Sequence, residues 1–167
     1  VRAAKGGVTR EDALAGVKTI GASGVFGDDP RAAFNMLPIL TKAAAANDSN
    51  VTDMANIAIK AKQTMGLTNT SRVLDMAAQG GIEGQFELRD MAKWLPQQMA
   101  YSKRTGLRGE SGFATLVAAN QIAMNTAGST DEAGNNVKNL LSKVNSTDTA
   151  NDAKKLKIDL SGSLAAA

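Results

Sequence analysis

Apolar residues recur at helical spacing along this chain, and every such run is short because a glycine or a polar cap stops it. Spacing of three and four residues places the apolar side chains on one face of a helix, and that face has to be buried. Residues 125–136, NTAGSTDEAGNN, show the pattern in miniature. Gly128 stops one helix, and Ser129, Thr130, Asp131 and Glu132 start the next. Gly134 then sits inside the first turn of the new helix, where alanine would be favoured by about 1 kcal/mol. It flanks the stripe formed by Ala133, Val137, Leu140, Leu141 and Val144. A glycine at the edge of a buried face lets a neighbouring backbone approach closely. The alternative is a tolerated defect on a surface turn.

The same reading divides the rest of the chain. Thr9 and Asp12 form a capping arrangement before the stripe Ala13, Val17 and Ile20, which GASGVFG ends. Asp29 and Pro30 start a second helix carrying Ala33, Leu37, Leu40 and Ala44, with a kink predicted at Pro38. NDSN caps a third, with Met54, Ile57, Ala58, Ala61 and Met65 facing inward, and Gly66 stops it. A fourth is predicted over residues 71–78, ended by Gly80 and Gly81. The fifth has the cleanest stripe, Leu88, Met91, Ala92, Leu95 and Met99, with a kink or break predicted at Pro96 and a stop at Gly106. The sixth spans residues 110–127, where Phe113, Leu116, Val117 and Met124 share a face with Asn120. The seventh starts at Ser129 or Thr130. From Asp148 the tail adds a further turn or two of helix, and KIDL at residues 157–160 alternates weakly like a strand without a visible partner. The predicted class is all-α: a compact array of about seven short helices folded back on one another, with little or no β structure.

Composition narrows the chemistry. Of 167 residues 43% are hydrophobic but only 4% aromatic, so alanine, aliphatic residues and seven methionines must fill the core, which suits closely packed helices. With no histidine and no cysteine, a Ser-His-Asp triad, a cysteine nucleophile and the usual zinc sites are all excluded. GASGVFG and GGIEG lack the strand-then-helix context and the lysine of a phosphate-binding loop, and read as helix-breaking turns. Glu83, Glu87 and Glu110 are the carboxylates to weigh for glycosidic hydrolysis, but no aromatic-rich stretch brackets them. Glu87 and Glu110 stand at predicted helix starts, where acidic residues suit the dipole. The sequence therefore predicts no enzyme activity, no cofactor and no small-molecule substrate. The net charge of +3 comes from loose clusters at Arg2, Lys5 and Arg10, at Lys103, Arg104 and Arg108, and at Lys154, Lys155 and Lys157. These read as solvated helix ends; contact with DNA is the alternative.

The order of helices and breaks carries a resemblance. FELRDMAKWLPQQMAYSKRTGLRGESGFATLVAANQIAMNTAGSTDEAGNNVKNLLSKV resembles the core region of tail tape measure proteins from long-tailed bacteriophages. In that family a helix interrupted near a proline precedes a glycine. An alanine-rich helix follows, then a small-residue break, then an Ala-Gly pair opening a final helix. Those features fall on Pro96, Gly106, Ala118 with Ala119, Ala127 with Gly128, and Ala133 with Gly134. Upstream, DPRAAFNMLPILTKAAAA and VTDMANIAIKAKQTMGL are similar to the family's earlier helices.

The resemblance implies a flexible lead-in at residues 1–9, a helical tape-measure core domain at 10–146 and a C-terminal extension at 147–167. It implies an internal fragment of a longer structural virion protein that sets tail length, takes part in tail assembly and leaves through the tube at infection. Implied partners are tail tube and tail-tip or baseplate proteins, tail assembly chaperones, further copies of the same protein, and the host envelope after ejection. The implied location is the lumen of the virion tail, with the host cytoplasm during assembly. Two other classes stand beside it: a basic helical DNA-handling module and a cell-wall hydrolase segment.

Overall fold

Helix starts follow the caps read from the sequence. In α1 (Arg10–Ser23), Thr9 Oγ1 accepts the Asp12 N–H at 3.0 Å. In α2 (Pro30–Ala46), Asp29 Oδ1 accepts the Arg31 N–H at 2.9 Å. In α3 (Val51–Met65), Asn50 Oδ1 accepts the Asp53 N–H at 2.8 Å. Each contact satisfies one of the donors that the first turn of a helix leaves without a partner. The computed structural model describes residues 8–27, 29–144 and 146–159. Six further helices follow: α4 (Thr70–Glu83), α5 (Leu88–Met99), α6 (Ser102–Thr105), α7 (Gly109–Met124), α8 (Thr130–Val144) and α9 (Thr147–Lys155). Among the described residues no strand occurs.

α3 is the centre of the array. Val51, Met54, Ala55, Ile57, Ala58, Ile59, Ala61 and Met65 are all buried, so this helix is apolar on most sides and needs neighbours on all of them. α1, α2, α4, α5, α6 and α7 pack against it, α8 packs on α5 and α7, and α9 on α8. The approach of α1 depends on Gly16, where a Cβ would stand 3.1 Å from Val51 Cβ and closer still to its Cγ1. Four residues earlier, both carboxylate oxygens of Asp12 accept the Val51 N–H at 3.2 Å. One helix thus caps the first turn of another. Burial raises the Asp53 carboxyl above the ordinary range, against the Asn50 hydrogen bond and with the help of the Asp12 charge.

Several sequence expectations are corrected. α4 does not stop at residue 78; it runs through Gly80 and Gly81 to Glu83. The two glycines are contact points, since a Cβ on Gly80 would overlap Val117 Cγ1 of α7 and one on Gly81 would lie 3.0 Å from the Leu88 N of α5. Pro96 does not break α5, which continues to Met99. The separate turn α6 intervenes before Gly106, which closes that turn in the left-handed region at φ 80°. α7 ends at Met124, three residues short of the predicted end at 127. Leu140 of the seventh predicted stripe is 62% exposed. KIDL is no strand over its described residues. Lys157 takes φ 58° and the Ile158 N–H donates to Ala153 O at 2.8 Å, a Schellman turn that ends α9. Leu160, and residues 1–7 of the predicted lead-in, lie outside the described residues.

Gly80 decides between two opposing magnitudes. Helix propensity favours alanine there by about 1 kcal/mol, whereas overpacking against Val117 costs about 1–3 kcal/mol. Gly80→Ala is therefore expected to lower the stability measured in urea melts. In a Val117→Ala background the same substitution should raise it, because only the propensity gain remains.

Candidate functional site

Two surfaces are built from the elements the sequence singles out. The first is the junction of α5, α7 and α8. Ser129 Oγ accepts the Glu132 N–H at 3.1 Å while Glu132 Oε2 accepts the Gly128 N–H at 2.8 Å, so the start of α8 is held from both sides. That turn is pinned to α5. Thr130 Oγ1 donates to Asp90 Oδ1 at 2.9 Å, and Asp131 accepts both the Trp94 indole N–H at 3.2 Å and the Lys93 ammonium. The Lys93 hydrogen bond, then that of Trp94, holds the Asp131 carboxyl below its ordinary value of 3.8. Behind Asp131, Trp94 is buried with its ring over Gly134, where a Cβ would lie 2.5 Å from indole Cδ1 and Cδ2. Gly134 is thus a close-approach point, but the group that approaches is an indole face and not a backbone.

A buried polar pair locks the same junction. The Gln98 and Asn120 amides exchange two hydrogen bonds of 2.7 Å, and both residues are fully buried. Gln98 Nε2 also donates to Gly134 O at 3.0 Å, and Asn120 Nδ2 to Leu116 O at 2.9 Å. Removing one partner strands the other in a dry site at a cost of about 1–3 kcal/mol. Gln98 joins α5 to α7 and α8 at once.

The second surface is a groove of 710 Å³ between α4 and α7. Met76, Ala114, Val117 and Ala118 contribute its apolar lining, Ile122 stands at its edge 68% exposed, and Asp75 and Glu83 lie along its α4 side. Gln121 holds its floor in place. Its amide nitrogen donates to Gly80 O and Phe86 O, each at 2.8 Å, and its oxygen accepts the Phe86 N–H at 3.1 Å. The three carboxylates weighed from the sequence do not converge. Glu83 accepts from Gln79 at 2.6 Å, Glu87 pairs with Arg89 at 3.8 Å, and Glu110 pairs with Arg72 at 3.3 Å.

A family model described as phage-related minor tail protein matches residues 3–166. The chain belongs to that family. It is 32% identical over 154 residues to the probable tape measure protein of Burkholderia phage BcepMu, a match covering 90% of this chain and 18% of the relative. The chain therefore spans less than a fifth of that relative's length. No solved structure matches it. The motif residues of this tail protein are spread over several settings. Pro96, Ala133 and Gly134 lie in the α5 and α8 helices that form the Trp94 junction, while Ala127 and Gly128 form the break before α8. Ala133 is fully buried, and Ala127 packs at the core's edge. Gly106 caps α6, Ala118 lines the groove, and Ala119 packs against the core. Sequence reasoning missed Asp131 and Gln98 at the junction and Gln121 at the groove. Asn120 and Gly134 gave signals, one as a lone amide on an apolar face and the other as a glycine inside the first turn of a helix.

Two outcomes test the junction. Gly134→Ala is expected to destabilise the chain by about 1–3 kcal/mol, and Gly134→Val by more, in urea melts. The Asp131 contribution has a defined pH sign. A depressed folded pKa stabilises at neutral pH, and that stabilisation is lost as pH falls through the folded value. Asp131→Asn should therefore be less stable than the parent above about pH 4, with the difference closing on further acidification. A pH-independent difference in the melts would contradict this assignment.

Proposed function

We propose that this segment is a non-enzymatic, compact helical domain carried within a phage tail tape measure protein, not a stretch of ruler length. The observation that supports this most is the packing of α1, α2, α4, α5, α6 and α7 around α3. An extended helix advances about 1.5 Å per residue, whereas helices folded back around a common centre add little length. The reading assigns the domain to residues 10–146, with 147–167 as an extension that α9 begins. The motif Pro96, Gly106, Ala118, Ala119, Ala127, Gly128, Ala133 and Gly134 serves packing in it, not catalysis. Its setting is the tail lumen of the virion, with the host cytoplasm during assembly. Its partners are tail tube and tail-tip or baseplate proteins, assembly chaperones, other copies of the same protein, and the host envelope on genome delivery. The relative's printed name and the family membership support this setting. Dispersed pairing of the carboxylates Glu83, Glu87 and Glu110 supports a structural role.

An in-frame deletion of residues 10–146 in the phage, with tail lengths read by electron microscopy, tests the proposal. Tails are expected to shorten by far less than about 1.5 Å per deleted residue, with infectivity lost. Shortening at the full helical rate would overturn it.

A further inference from the structure

We propose that residues 154–158 of one copy of this chain dock into the α4–α7 groove of a second copy. The inference deepens the self-association contained in the reading above and rests on it. The groove pairs an apolar floor, Met76, Val117 and Ala118, with the carboxylates of Asp75 and Glu83 along one side. Arg72, at one end, is already engaged by Glu110 at 3.3 Å. The complement stands at the end of α9. Leu156 and Ile158 are 71% and 51% exposed, and Lys154 and Lys157 are exposed among them, with Lys155 beside them paired to Asp152 at 3.0 Å. The Schellman turn at Lys157 presents these side chains from a fixed backbone, so less ordering is required on docking.

Apolar side chains interleaved with cations match an apolar floor edged by carboxylates. Such charge complementarity fixes the direction of docking more than its strength. α9 packs on α8, and the groove lies between α4 and α7. Because the two surfaces differ, each copy uses both, and the contact is heterologous. Repeated, it closes a ring or extends a filament according to the rotation between copies.

The chain contains no cysteine, so single cysteines report the contact cleanly. Chains carrying Ala118→Cys and chains carrying Ile158→Cys, mixed and oxidised, are expected to give a disulfide dimer containing one of each. Dimers joined only 118 to 118 or 158 to 158, or no dimer, would overturn the proposal. So would a chain with both cysteines that closes only on itself. Sedimentation gives a second readout that needs no cysteine. Asp75→Lys with Glu83→Lys should weaken self-association about tenfold or more, and adding chains with Lys154→Glu, Lys155→Glu and Lys157→Glu should restore it. Association unchanged by the groove substitutions counts against the proposal equally. A failed cross-link leaves the tail-length result standing, and tails that shorten at the helical rate leave the cross-link standing, so the two failures are distinguishable.

Discussion

Helices built from alanine, methionine and aliphatic residues hold together only when their backbones come close, and here closeness is set by missing Cβ atoms. Gly16 admits Val51, Gly80 admits Val117 and Gly134 admits Trp94. Each of these glycines sits inside a helix, where it forfeits about 1 kcal/mol of propensity relative to alanine. The gain is contact between side chains that would otherwise stand apart, and dispersion contacts are lost quickly as a gap opens. With Phe86, Phe113 and Trp94 as the buried aromatic residues among those described, the core has few large rings to bridge a wider spacing. The central position of α3 follows from the same condition. Its small residues Ala55, Ala58 and Ala61 are fully or almost fully buried, so neighbours reach it on several sides.

Polar groups then select one arrangement among the many that small residues would allow. An alanine-rich interface is smooth and tolerates sliding, whereas a buried amide pair does not. Gln98 and Asn120 meet only when α5 and α7 are in register, and the Gln98 contact to Gly134 O adds α8 to the same condition. Asp12 does the equivalent for α1 and α3 through the Val51 N–H, and Gln121 for the α4–α5 connection. A slip of one residue would leave the Gln98 and Asn120 amides unsatisfied in low-dielectric surroundings, where the penalty is greatest.

Much of this was legible in the sequence, for local reasons. The caps at Thr9, Asp29 and Asn50 and the stripe of α5 depend on a few neighbouring residues, and they stand where the spacing predicts. The errors arose where tertiary contact overrides a local preference. Gly80 and Gly81 read as a stop because propensity disfavours them, yet α7 and α5 occupy the space their side chains would take. Pro96 read as a kink or break, yet α5 continues through it to Met99, and Leu95, Gln98 and Met99 around it are buried. At the junction, Gly134 stood out because it violated a local rule. Asp131 looked like an ordinary first-turn acid, and nothing nearby in sequence marked Trp94 or Lys93 as its partners across 37 and 38 residues.

Those separations have an entropic meaning. The side-chain hydrogen bonds that tie helices together, from Asp12 with Val51 to Lys138 with Gln97, join residues 22 to 41 apart along a chain of 167. The entropic cost of closing such loops grows only with the logarithm of their length, so it differs little between the shortest and the longest of them. The tighter helix pairs lie one to three places apart along the chain, α1 with α3, α3 with α5 and α5 with α8 among them. For this tail protein segment the loops to be closed are thus of similar length throughout, so no one tie between helices is entropically much dearer than another.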